Sequence, residues 1–91
     1  MLRWKKGSSQ WTSEKKIPGI GTLYAEINLD EDNNLYNLEM ESMEDQGSGF
    51  DFSIDEIKSL DEAKRMAEFK IQRYLISQIN KMLNYMERSY S

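Results

Sequence analysis

The chain has 91 residues and a mass of 10.7 kDa, one domain's worth of sequence. Leu, Ile and Phe supply 19 residues and Val none, enough for a small, thinly layered core and little above the ~20% at which disorder becomes the default. With no Cys and no His, disulfides, thiolate metal sites and the commonest general base are excluded, and no run of 18 apolar residues is present to span a membrane.

The net charge of −4 conceals three blocks. Residues 1–25 carry +4, residues 26–62 carry thirteen acids against the single base Lys58, and residues 63–91 return to +4. Two basic ends flank an acidic middle, which can pair internally or present separate faces to partners. The basic N-terminus has no apolar run behind it, so it does not read as a secretory signal. The expectation is a soluble, cytoplasmic, non-enzymatic domain without cofactor or metal, spanning 1–91 as one unit.

In chain order, Lys6-Gly7-Ser8-Ser9 separates two short segments that each carry one Trp, so residues 1–16 read as an aromatic and basic hairpin that can bring Trp4 near Trp11. Pro18-Gly19 is a turn pair, and Gly21 keeps the backbone permissive before the next strand. Leu23, Ala25, Ile27 and Leu29 then alternate with Tyr24, Glu26 and Asn28, the period of a half-buried strand. After the turn cluster 30–34, Tyr36, Leu38 and Met40 repeat the pattern, giving a hairpin of 22–29 and 35–42. Residues 44–49 read as a loop, and Phe50, Phe52 and Ile54 as a short further strand, completing an acidic β-meander over 19–57.

Ser59-Leu60-Asp61-Glu62 has capping-box spacing and opens a helix with no later Gly or Pro, assigned to 59–87 with its cap. Apolar residues recur at Leu60, Ala63, Ala67, Ile71, Tyr74, Leu75, Ile79, Met82 and Met86. The predicted fold is therefore α+β, an antiparallel sheet of three to five strands packed on one long C-terminal helix. Its expected core is Leu23, Ile27, Leu29, Leu38, Met40, Phe52, Ala67, Ile71 and Leu75. Such a helix outruns strands of ordinary length, yet its far end gains apolar width from Ile76 and Leu83. Either the Trp hairpin or the loop around Met43 covers that end, or Ile76, Ile79, Met82, Leu83 and Met86 form a homodimer interface.

Several motifs bear on chemistry. Asp30, Asp32, Asn34 and Glu41 occupy positions 1, 3, 5 and 12 of a calcium loop, but Leu35 stands where the sharp turn wants Gly and the flanks read as strands. Gly19-Ile20-Gly21 precedes a strand rather than a helix, and Gly47-Ser48-Gly49 lacks a following Lys, so neither reads as a phosphate cradle. Two surfaces remain. Glu26, Asp30, Glu31, Asp32, Glu39, Glu41 and Asp51 would form a negative stripe suited to a basic, nucleic-acid-binding groove on a partner protein. Alternatively, Arg3, Trp4, Lys5, Lys6, Trp11, Lys15 and Lys16 combine the stacking rings and cations of a nucleic-acid surface, although two Trp in so lean a chain are more readily spent on the core.

An aromatic opening strand, a Gly-containing turn, a meander and a helix starting Ser59-Leu60-Asp61-Glu62-Ala63-Lys64-Arg65-Met66-Ala67-Glu68 resemble many small phage and prophage proteins. The resemblance spans the whole chain in architecture and about ten residues in motif, and this helix is longer than those such proteins usually carry. It implies a phage-encoded, non-catalytic inhibitor of a host defence nuclease, of the anti-CRISPR or anti-restriction kind, acting in the host cytoplasm.

Overall fold

A computed structural model describes residues 2–18, 21–44 and 47–90. Five strands, β1 (Lys5–Lys6), β2 (Gln10–Ile17), β3 (Gly21–Asp30), β4 (Leu35–Glu44) and β5 (Gly47–Ile57), precede one helix, α1 (Leu60–Tyr90). The strands form a single antiparallel meander in sequence order, and α1 packs across one face. This is the predicted α+β architecture, with the sheet at the upper end of the expected strand count.

Alternation selects the covered face. The register sets Trp11 opposite Ile27 and Ile27 opposite Leu38, and likewise Ala25 opposite Met40 and Met40 opposite Phe52, so each row presents apolar side chains to the helix. Trp11, Leu23, Ala25, Ile27, Leu38, Met40 and Ile57 from the sheet, with Ala63, Ala67 and Ile71 from α1, are the buried core. Leu29, Phe52 and Leu75 are only partly buried and pack around it. Ser13 points into the same layer, and its Oγ has no hydrogen-bond partner among the described residues.

The N-terminal hairpin belongs to this sheet rather than to a separate unit. Gly7 N–H donates to the Gln10 carbonyl at 2.6 Å to close its turn, and β2 then pairs along its whole length with β3. The expected loop at 44–49 is shorter than predicted, since β5 already begins at Gly47; Asp45 and Gln46 lie outside the described residues, as do Gly19 and Ile20 of the Pro18-Gly19 turn. Gly21 has φ 138°, a conformation side chains disfavour, as its place at the head of β3 requires.

β5 departs from simple alternation. Leu38 faces Ile54 but Tyr36 faces Ile57, so β5 carries one more residue than β4 across this step, a β-bulge with Glu56 at φ 60°. The Glu56 N–H is held 3.4 Å from Asn37 Oδ1. The inserted residue reverses the parity of the strand and turns Ile57 into the core, where alternation from Phe52 and Ile54 would place Glu56.

The Ser59 hydroxyl accepts from Glu62 N–H at 3.1 Å, the N-cap its sequence predicts. The helix then runs unbroken for 31 residues, about 46 Å at ~1.5 Å per residue. Its packed portion ends near Leu75. Beyond it Ile76, Ile79, Met82, Leu83 and Met86 are each 51–60% exposed, and Met43 is itself exposed, so neither the Trp hairpin nor the Met43 region covers this end. The molecule is correspondingly drawn out, 58 × 21 × 19 Å, with a radius of gyration of 15.5 Å against about 12 Å for a compact chain of this length.

Candidate docking faces

The face of the sheet turned away from α1 is acidic. The registers line up Lys5, Thr12, Glu26, Glu39 and Ser53 in one row and Glu14, Tyr24, Glu41 and Asp51 in the next, with Lys5 the cation at the β1 edge of the first. Two pairs of like charges therefore sit directly opposite one another, Glu26 with Glu39 and Glu41 with Asp51. Such pairs are destabilising within a sheet. Between the rows lies an open concavity of about 320 Å³, bordered by Tyr24, Glu39, Glu41, Asp51 and Ser53.

The carboxylates are not equally free. Glu26 accepts hydrogen bonds from Gln10 Nε2, from Tyr24 Oη at 3.3 Å and from Asn28 Nδ2 at 3.2 Å, so it organises the face from within. Partial burial first, and then the carboxylates of Glu26, Glu41 and Glu14, raise the Tyr24 phenol above its ordinary pKa, which marks a negative local potential. Glu39, Glu41 and Asp51 are exposed.

Asp30, Glu31 and Asp32 stand apart, at the tip of the β3–β4 hairpin. Asp30 accepts from Asp32 N–H at 3.1 Å and from Asn33 Nδ2 at 2.8 Å, and the Asn33 bond leads in holding its carboxyl below the usual value. Ser9 Oγ donates to Glu31. Glu41 faces Tyr24, six residues down β4 from Leu35 and about 20 Å away along the strand, so the calcium-loop spacing is not a cluster in space. Among the described residues no group of three or more acidic side chains is arranged to hold a metal ion.

The predicted stripe thus divides into a sheet face (Glu26, Glu39, Glu41, Asp51) and a hairpin tip. Alternation along β3 already set Tyr24 beside Glu26, but sequence reasoning missed Glu14 as a member of the face, because it left β2 unpaired with β3. The alternation of Trp11 and Ser13 with Thr12 and Glu14 was the available signal.

The nucleic-acid candidates do not converge. Trp11 is 9% exposed and packs at 5.8 Å from the Tyr36 ring, with Lys6 Nζ 6.0 Å from its centroid. Trp4 is half-buried against the core. Lys15 and Lys16 are exposed neighbours on one strand and so project to opposite faces, Lys5 and Lys6 likewise pair with Thr12 and Trp11 on opposite faces, and Arg3 is exposed ahead of β1.

The second face is the free end of α1, where the predicted residues Ile76, Ile79, Met82, Leu83 and Met86 are all exposed. They are not one row, however. Ile76, Ile79, Leu83 and Met86 follow a 3-4-3 spacing, and Met82 lies beside that row, toward the side that meets the sheet. No helix among the described residues is long and apolar enough to cross a membrane. Compared with protein-family models, curated proteins and solved structures, the chain matches none.

Proposed function

We propose that the chain is a non-catalytic binding module whose acidic sheet face docks against a basic, nucleic-acid-binding surface of a partner protein. The observation that carries this reading is the direct opposition of Glu41 with Asp51, with Glu39 beside them, around one concavity, and of Glu39 with Glu26 in the same row. Glu26 is held by hydrogen bonds within the face, whereas opposing Glu41 to Asp51 costs the fold stability that a cationic partner would recover on binding. Occupying a cleft that otherwise holds phosphates makes the module a competitive inhibitor. A phage-encoded inhibitor of a host defence nuclease, working in the host cytoplasm, is the form of this reading that the sequence resemblance favours.

The test compares the native chain with Glu39→Lys/Glu41→Lys/Asp51→Lys, keeping Glu26 because of its structural hydrogen bonds. Pulldowns from a nuclease-treated bacterial lysate should retain a nucleic-acid-binding protein that added oligonucleotide displaces, and the triple variant should lose it. Folding should be little changed, since exposed charges contribute little to stability. Undiminished capture by the triple variant would sink the proposal. So would tight, salt-sensitive binding of a fluorescent oligonucleotide by the native chain, which would instead support the nucleic-acid module built on Trp4, Trp11 and the N-terminal cations.

A further inference from the structure

α1 carries two apolar rows rather than one. The first, Leu60, Ala63, Ala67 and Ile71 with Tyr74 and Leu75, meets the sheet. The second runs through Ile76, Ile79, Leu83 and Met86, spaced 3, 4 and 3 and each 51–56% exposed, with Phe69 one heptad earlier on the same side, beneath the Arg73 guanidinium and outside the pairing below. At 3.6 residues per turn this row lies roughly 135° around the helix from the first. Its spacing is that of the a and d positions of a coiled coil.

We infer that the free end of α1 pairs with the same segment of a second copy of this chain, as an antiparallel two-fold coiled coil. Self-complementarity identifies the occupant. In the register that sets Ile79 opposite the partner's Leu83 and Ile76 opposite the partner's Met86, the flanking positions bring Arg73 beside the partner's Glu87. Asn80 then meets its own counterpart near the axis. The ion pair forms twice by symmetry, the helix dipoles oppose, and the two acidic sheets stand at opposite ends. A parallel pair would instead set Arg73 beside the partner's Glu68 and place the acidic sheets side by side. Glu68 already accepts from Leu2 N–H at 2.9 Å, and Arg73 stands over its own Phe69 ring at 5.8 Å in either register, so the placement of the acidic sheets is what separates the two.

Size agrees with that occupant. The chain exposes 6878 Å², about a quarter more than the ~5500 Å² expected of a monomer of this mass. The excess exceeds the ~800 Å² per partner that a standard interface removes. Residues 76–90 are also at the length where a helix without tertiary support is marginal in water. Nothing in this pairing depends on the acidic face.

Sedimentation at micromolar concentration tests it, with twice the 10.7 kDa chain mass expected. A monomeric mass overturns it. Leu83→Lys should give a monomer whose near-ultraviolet Trp spectrum is unchanged, because the residue lies beyond the sheet. Should that variant unfold, exposed charges alone decide. Arg73→Glu or Glu87→Arg should each weaken the dimer roughly two- to ten-fold, and the double exchange should restore it. Failure to restore, with restoration by Glu68→Arg/Arg73→Glu instead, overturns the antiparallel register. Spin labels on Arg65→Cys, the sole thiol of that variant, should lie about 48 Å apart along the axis, against ~20 Å or less in a parallel pair.

Discussion

Glu56 is the residue at which local backbone preference and the fold disagree most directly. Its φ of 60° is a conformation that non-glycine residues avoid, and it is held there because the bulge must bring Ile57 inward. Glu56→Gly should raise stability by about 0.5 kcal/mol in urea unfolding, after allowing for the greater freedom of glycine in the unfolded chain. Glu56→Val should lower it by about 1 kcal/mol or more, because a β-branched side chain suits that backbone least. A stabilised Val variant would mean that the bulge does not form. Asn34, with φ 55° at the hairpin tip, is the easier case, since Asn tolerates this region.

At the level of the elements, the helix sits on the sheet through small residues. Ala63 and Ala67 on α1 and Ala25 on β3 are wholly buried, which lets the helix approach closely while Ile71, Ile27 and Leu38 fill the remaining space. Ala67→Leu should therefore cost about 1–3 kcal/mol by overpacking, although Leu suits a helix well. Ile71→Ala should cost roughly 2–5 kcal/mol through the cavity it leaves. Chemical denaturation measures both. A neutral Ala67→Leu would show that the helix can lift from the sheet without loss. The partly exposed positions Leu29, Phe52 and Leu75 lie at the rim of this contact, so their truncation should cost less than that of Ile71.

For the molecule as a whole, charge and packing pull apart. The sheet's inner face is apolar and its outer face collects Glu14, Glu26, Glu39, Glu41 and Asp51 within two adjacent rows. Screening should therefore stabilise the isolated protein. Raising sodium chloride from low to moderate concentration should increase the unfolding free energy by about 0.5–2 kcal/mol, the scale of two like-charged cross-strand pairs. Thermal unfolding at constant protein concentration reads this directly, and a midpoint that falls with salt would show that attractive pairs dominate instead. Salt thus acts oppositely on folding and on the proposed docking, strengthening the first and weakening the second.

Strand and helix types follow from periodicity because each is set by neighbours close in sequence. Leu23 to Leu29 alternate, Ser59 to Glu62 cap, and residues 60–87 lack any breaker, so the β3–β4 hairpin and α1 are legible in the chain's own pattern. The same pattern locates the acidic middle and the excess apolar surface at the end of the helix. Tertiary structure decided what those features adjoin. Pairing of β2 with β3 brought Glu14 onto the acidic face beside Tyr24 and buried Trp11. The bulge at Glu56 reversed the parity that alternation implied for Ile57. The sheet's extent decided where α1 ceases to be covered, leaving the end of the helix beyond Leu75 exposed. Register, bulges and coverage depend on contacts between residues far apart in the chain, and a local pattern carries no information about which distant segment will meet it.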